Sequence, residues 1–124
     1  MNKNQIHIDD SVIAININRT YRYGISAEDL YDNTRGIWRL SKQRAEKAQY
    51  AFAVYQGIIK EVYEIDQWVP AGATKYLRRH FSPANLIDRY EFIGKLAPDE
   101  IRDKYVDQVM PERHGQNPIK YYNC

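Results

Sequence analysis

The sequence has 124 residues, of which 44% are hydrophobic and 27% charged, the balance of a globular protein with one core. No run reaches the roughly 18 consecutive apolar residues of a membrane helix, and residues 1–10 lack the apolar core of a signal peptide. The single cysteine, Cys124, excludes an internal disulfide. We therefore expect a polar N-terminal tail over residues 1–10, a single domain over residues 11–124, and a cytoplasmic protein without a membrane partner.

Three elements are predicted before residue 50. Ser11 to Arg19 alternates isoleucine with smaller or polar side chains, the period of a strand with one buried face. Ser26 to Asn33 predicts a short helix, because the serine can cap it and acidic residues follow in its first turn. Ser41 to Gln49 is rich in residues of high helix propensity and predicts a second short helix, which is basic.

A β-hairpin is predicted in the middle of the chain. Tyr50 to Tyr55 and Ile58 to Ile65 are rich in β-branched and aromatic residues. They are separated by Gln56-Gly57, where glycine can adopt the positive φ of a two-residue turn. The two runs should therefore be adjacent antiparallel strands.

The second half of the chain alternates loops with short elements. Pro70 to Asp88 has no sustained period, and a loop of this length is usually either functional or disordered. Arg89 to Lys95 predicts a strand, and Pro98 to Asp107 predicts a helix opened by proline and two acids. A second loop, Pro111 to Pro118, precedes a final strand at Ile119 to Tyr122.

This order of elements predicts an α+β fold. The strands are joined mostly by turns and loops, and the helices lie near the beginning and the end. Such an order favours a small mixed or antiparallel sheet that curls into a barrel and carries two or three short helices.

No complete catalytic or metal-binding motif is present. The three histidines are far apart in sequence, no serine lies in a Gly-x-Ser-x-Gly elbow, and no glycine-rich phosphate loop occurs. We therefore expect a binding protein rather than an enzyme, with no catalytic residue, no metal and no cofactor. A small nucleotide-processing enzyme stays open as an alternative, in which Glu64, Asp66 and Glu91 would meet Arg35 in one cleft.

A basic and aromatic set of residues is the positive functional signal. The net charge is only +2, but residues 35–47 carry five cations against one acid. A tryptophan lies within this segment, and a second precedes the long loop. Aromatic rings stack on bases and arginines pair with phosphates, so the set predicts a site for nucleic acid or a modified base. Its members are Arg35, Trp38, Arg39, Lys42, Trp68, Arg89 and Asn117.

Some of these residues have a competing structural interpretation. Tryptophans at strand ends more often fill a core than stack on a ligand. Asn117 stands before a proline and a strand, where its amide can read a base edge or fix a turn. Both interpretations stay open at the level of sequence.

Six segments in the same order carry a family resemblance. Together they resemble an uncharacterised bacterial domain found alone or C-terminal to GIY-YIG-type nuclease domains. The paired tyrosine motifs and the metal-binding glutamate of that nuclease are not recognisable here, so the resemblance does not imply cleavage. The segments are Asn16 to Tyr21, Leu30 to Trp38, Tyr50 to Ile58, Val62 to Trp68, Arg89 to Gly94 and Gln116 to Asn123.

The strand order and the hairpin are also similar to those of the PUA, ASCH and EVE group of pseudobarrels. Many members of that group bind RNA or modified bases in a pocket, so the resemblance implies a PUA-like domain with RNA, DNA or a modified nucleotide as partner. The sequence departs from that pattern in the extra basic residues between Val69 and Asp88. A protein-interaction or regulatory module is the alternative, since eleven tyrosines suit a protein partner equally well.

Overall fold

A computed structural model of the chain describes residues 6–111 and 117–124. It contains five strands, three helices and one turn of 3-10 helix at Pro83–Asn85. Among the described residues, none of the helices has the length and apolar character needed to cross a membrane. The elements are β1 (Val12–Asn16), α1 (Ala27–Arg35), α2 (Lys42–Ala45), β2 (Tyr50–Tyr55), β3 (Ile58–Pro70), β4 (Tyr90–Leu96), α3 (Asp99–Tyr105) and β5 (Ile119–Tyr122).

The strands form one mixed sheet in the order β4-β3-β2-β1-β5. The β1 and β2 strands are parallel, and every other neighbouring pair is antiparallel. The α+β class, the mixed sheet and the short helices are therefore confirmed. Over the described residues the sheet is open, with β4 and β5 at opposite edges, so closure into the expected barrel is not observed.

Both faces of the sheet are covered. On the first face, Ile13 of β1 packs in a cluster with Leu30 of α1 and Ala45 of α2. On the second face, Phe52 of β2 packs with Tyr105 of α3. The prediction of one buried face for the first strand was wrong, because β1 lies between two other strands and its residues 12–15 are all buried. A central strand with a parallel neighbour is normally apolar on both faces.

The predicted hairpin is confirmed. Gln56 and Gly57 both have positive φ, 50° and 78°, the conformation that joins two twisted strands through a two-residue turn. The second strand continues beyond its predicted end at Ile65 to Pro70, because β4 pairs with it as far as Tyr90. An irregularity in the pairing between Ile65 and Gln67 accompanies this extension.

The basic helix α2 is shorter than predicted. Ser41 caps it by accepting a hydrogen bond from Arg44 N at 3.2 Å. After four residues the chain tightens, and Gln49 N donates to Ser11 O at 2.9 Å. The helix therefore ends early, because the residues before β2 bond to the segment that leads into β1 instead of continuing the helix.

Residues 6–10 belong to the fold rather than to a free tail. Ile8 is buried against the second face of the sheet. Lys104 of α3 forms ion pairs with Asp9 and Asp10, and the Tyr105 hydroxyl donates to Asp10 Oδ2 at 2.5 Å. Helix α3 thereby fixes the segment that leads into β1.

Alkaline pH should weaken this attachment. Burial, together with the hydrogen bond to Asp10, raises the pKa of Tyr105 to about 12, above the value of about 10 for an unfolded tyrosine. The stabilisation is complete below pH ~10 and is lost as pH rises through ~12, because the folded state holds the proton more tightly. We expect Tyr105→Phe to cost about 1 kcal/mol at neutral pH and to flatten the alkaline fall in unfolding free energy. Urea unfolding followed by circular dichroism measures both, and an unchanged alkaline slope would contradict the assignment.

Candidate nucleic-acid interface

Arg35, the first member of the predicted site, is buried at the end of α1, and its side chain is 5% exposed. Its Nε donates to Asp32 Oδ1 at 2.9 Å. Its Nη1 and Nη2 donate to Thr74 Oγ1 at 2.6 Å and to Lys75 O at 2.8 Å. The Tyr76 ring lies 3.8 Å from the guanidinium carbon. All three nitrogens are engaged within the protein, so Arg35 holds the long loop in place rather than facing a ligand.

Glu91 of β4 anchors the same loop from the sheet side. Its side chain is fully buried, and Arg35 Nη1 lies 3.8 Å from Oε2. The carboxylate accepts hydrogen bonds from Gly72 N at 3.0 Å and Thr74 N at 2.9 Å. The hydroxyls of Thr74 and Tyr76 also donate to it. The segment 72–76 is therefore ordered by one buried carboxylate.

Gly36 allows this packing because there is no room for a side chain. A Cβ at this position would lie 2.2 Å from the Tyr76 hydroxyl oxygen and 2.9 Å from the Cβ of Glu91. Arg35 thus supplies a buried charge, and Gly36 lets Tyr76 of the loop approach the backbone closely.

The two tryptophans do not form an open stacking pocket. Trp68 is 5% exposed, and its ring meets Phe92 edge to face with centroids 5.2 Å apart. Its Nε1 has no hydrogen-bond partner among the described residues. Trp38 is half-buried against the same cluster, and its Nε1 donates to Thr34 O at 2.8 Å. Both side chains thus contribute to the core on the first face of the sheet.

Lys42 and Asn117 lie apart from each other and have local partners. Lys42 is paired with Glu46, the residue that follows α2, and this hydrogen bond raises the pKa of Lys42. Asn117 Oδ1 accepts a hydrogen bond from Ile119 N at 2.9 Å, the geometry of a turn that leads into β5. Since β5 and β4 are opposite edges of the sheet, Asn117 is distant from the arginines near β4.

Arg39 and Arg89 are brought together at the β4 edge. Trp38 N donates to Tyr90 O at 3.0 Å, and Tyr90 N donates to Trp38 O at 2.9 Å. In this antiparallel pairing the residue after Trp38 stands opposite the residue before Tyr90. Arg39 is exposed, Arg89 is half-buried, and neither forms an ion pair with a described residue.

A cleft beside Arg89 combines positive charge with apolar surface. It has a volume of about 220 Å³. We call it the basic cleft, and its lining residues are Ile37, Arg79, Phe81, Asn85 and Arg89. Ile37 and Phe81 give it apolar walls, and the two arginines give it charge.

Arg79 is held in the basic cleft by neutral groups. Its Nη1 donates to Asp32 O at 2.9 Å and to Gly36 O at 2.7 Å. The guanidinium carbon lies 4.7 Å from the centre of the Phe81 ring. Burial lowers the pKa of Arg79, but an arginine stays charged in proteins. Its Nε and Nη2 donate to no described residue, so they can serve a ligand.

Two further clefts adjoin the basic cleft. The loop cleft, of about 410 Å³, shares Arg79 and Phe81 with it. The edge cleft, of about 390 Å³, shares Arg89. Other lining residues are Lys75, Tyr76 and His80 in the loop cleft, Ala71, Ile87 and Tyr90 in the edge cleft, and Leu86 in both.

Sequence reasoning missed Arg79, Phe81 and Asn85 as site residues. The available signal was composition, since residues 71–90 contain four Lys or Arg residues, one histidine and a single acid. The segment has no sustained hydrophobic period, so the sequence did not indicate in which direction these side chains point. Only the anchoring of the loop by Arg35 and Glu91 shows which of them surround a cleft.

The three carboxylates considered for catalysis do not converge. Glu91 meets Arg35 but is fully buried, Glu64 lies 3.9 Å from Lys95 Nζ, and Asp66 is exposed. Within residues 6–111 and 117–124, no group of three or more His, Cys, Asp or Glu side chains is placed to hold a metal ion. Of the three histidines in the sequence, His114 lies outside the described residues.

Comparison with known proteins adds no relative. No protein-family model, no curated protein and no solved structure matches the chain.

Proposed function

We propose that this chain is a non-catalytic module that binds single-stranded nucleic acid or a modified nucleotide at the basic cleft. One observation carries the proposal: Arg79 and Arg89 border a cleft with apolar walls, and neither forms an ion pair with a carboxylate of the described residues. Guanidinium groups pair with phosphate oxygens through charge-assisted hydrogen bonds. An aromatic wall next to them suits a base of any sequence.

The proposal moves the site from the residues that the sequence pointed to. Arg35 and Trp68 support it indirectly, through the loop and the core. Arg39 and Arg89 remain direct candidates, and Arg79 joins them. Because phosphate pairing with few cations is weak and sensitive to salt, we expect binding that is detectable at low ionic strength and falls as salt rises.

Fluorescence anisotropy with labelled single-stranded RNA, single-stranded DNA and modified-base oligonucleotides tests this function. We expect Arg89→Gln to bind about tenfold less tightly than the wild-type protein. The slope of log affinity against log salt should fall by about one per contact. Absence of binding by the wild-type protein at low salt would refute the function.

Arg19→Gln is the matched control. Arg19 is exposed and follows β1 at the hairpin end of the sheet, because Ile17 N donates to Val54 O there. Arg89 precedes β4 at the other end. The control removes one cation far from the basic cleft. Its affinity for the oligonucleotides should therefore stay within twofold of the wild-type value, which is about 0.4 kcal/mol of binding free energy.

We also propose that the sheet is a variant of the PUA-like pseudobarrel and that the chain is related to the domain found beside GIY-YIG nucleases. Irregular pairing in β2–β3 at Ala53 and Val54 supports the first point, since such features bend strands and increase twist. An experimental structure with β4 and β5 still unpaired at opposite edges would count against it. We place the protein in the cytoplasm, where nucleic acids are accessible.

A protein-interaction module is the second candidate function. Leu77 and Ile87 are 59% and 63% exposed, and both lie in the loop that surrounds the clefts. A contiguous exposed apolar patch marks a partner surface, so this candidate function requires the two side chains to share one patch. A partner retained by the wild-type protein after nuclease treatment, and lost with Leu77→Ser/Ile87→Ser, would favour this function over the first.

A further inference from the structure

The basic cleft shares lining residues with both of the other clefts, which we call the outer clefts. Arg79, with Phe81, stands at the boundary with the loop cleft. Arg89 stands at the boundary with the edge cleft. Leu86 lines both outer clefts and packs over Gly72, where a Cβ would lie 2.8 Å from Leu86 Cδ1. Residues of the segment Phe81–Leu86 thus line all three clefts, and one arginine is shared between the basic cleft and each outer cleft.

The alternation of cleft and cation matches the chemistry of an unpaired strand. Such a strand repeats one base and one negatively charged phosphate per nucleotide. The basic cleft, at about 220 Å³, is smaller than the roughly 300–1,000 Å³ that holds a drug-sized ligand, and the outer clefts, at about 390 and 410 Å³, are near the lower end of that range. Each therefore suits one nucleoside rather than an extended ligand.

The outer clefts also offer groups that suit nucleosides. Tyr76 in the loop cleft and Tyr90 in the edge cleft present aromatic surface. Lys75 and His80 are exposed at the loop cleft, and the lysine adds positive charge on that side. The edge cleft is lined by the acid Asp88 instead, so positive charge decreases from the loop cleft to the edge cleft.

We propose that the three clefts hold three successive nucleotides of one unpaired strand, which curves around Phe81–Leu86 with its two connecting phosphates at Arg79 and Arg89. This inference rests on the proposed function and adds the size and the strand state of the ligand. A duplex is excluded as the preferred ligand, because its paired bases are stacked inside the helix and cannot enter separate clefts.

A length series tests the footprint, with labelled oligonucleotides of two, three, four and six residues at low salt. Affinity should rise about tenfold from the dinucleotide to the trinucleotide, since the second phosphate contact is then made. From three to six residues it should rise only about fourfold, the number of registers in which three residues fit. A duplex of the same sequence should bind more weakly than the single strand.

Neutral linkages identify the arginine contacts. A trinucleotide with one methylphosphonate linkage should bind the wild-type protein about tenfold less tightly. In Arg89→Gln, one of the two possible methylphosphonate positions should no longer weaken binding, because the contact is already absent. Arg89 is chosen since its side chain has no structural hydrogen bond among the described residues, and thermal unfolding checks that the variant is folded.

The outcomes separate the two proposals. The three-nucleotide footprint is wrong if six-residue strands bind but affinity does not rise from the dinucleotide to the trinucleotide. It is also wrong if the neutral linkage weakens binding equally in the wild-type protein and in Arg89→Gln. In both cases the nucleic-acid function stands. Equal affinity for the duplex also overturns the footprint. If no oligonucleotide binds at low salt, both proposals fail.

Discussion

Replacing Glu91 with alanine should lower the free energy of unfolding by about 3–5 kcal/mol, because it breaks a buried ion pair from one side. Arg35 would keep only Asp32 as a carboxylate partner. The amide groups of Gly72 and Thr74 and the hydroxyl of Tyr76 would lose their acceptor. The unfolding midpoint should fall by roughly 10–20 °C for a domain of this size. Urea and thermal unfolding followed by circular dichroism measure this loss.

Glu64→Ala provides the comparison for Glu91→Ala. Glu64 is also a strand glutamate, but its partner Lys95 is at 3.9 Å and that lysine side chain is 67% exposed. Such surface pairs contribute about 0–1 kcal/mol. If both alanine variants lost stability equally, the buried carboxylate would not be the anchor of the loop.

Arg35→Met should cause a loss of similar size, about 3–5 kcal/mol, because it leaves the carboxylates of Asp32 and Glu91 buried without their shared cation. The methionine keeps much of the volume of the side chain, so the effect reports charge and hydrogen bonds rather than a cavity. The measurement is the unfolding free energy of the single variants and of Arg35→Met/Glu91→Ala.

The double variant should be more stable than the sum of the single losses predicts. Groups in one network typically couple by about 0.5–3 kcal/mol. Strict additivity would mean that Arg35 and Glu91 act independently, contrary to their 3.8 Å separation. Any loss of nucleic-acid binding in an Arg35 variant should then follow from displacement of the loop, and Arg89→Gln should lose binding without a comparable loss of stability.

Local patterns predicted the local elements well. The hairpin followed from the Gln56-Gly57 turn, and the strand at Ile119 to Tyr122 followed from its β-rich composition. The serine cap of α1 was also visible, because a cap depends on residues only three positions apart. Such features depend on neighbours in sequence and need no knowledge of the fold.

Burial of charged residues was not predictable. Arg35 lies in a basic and aromatic segment that is typical of a binding site. Its structural role depends on Glu91 and the loop, which lie far away in sequence. Trp68 likewise stands next to a basic loop but points into the core. Arg79 and Phe81 lie in a segment without period, where only long-range anchoring shows which side chains surround a cleft. The candidate site was thus predicted in its chemistry and only partly in its residues.

The pairing of β1 with β5 has a consequence for synthesis of the chain. The two ends of the described fold are tied together, since Ala14 pairs with Lys120 and Asn123 Nδ2 donates to Ile8 O across 115 residues. A ribosome adds about 5–20 residues per second, so β1 emerges seconds before its β5 neighbour exists. During that interval an apolar strand, destined to be covered on both faces, has an unpaired edge. Nascent chains should therefore be most prone to association just before β5 leaves the exit tunnel.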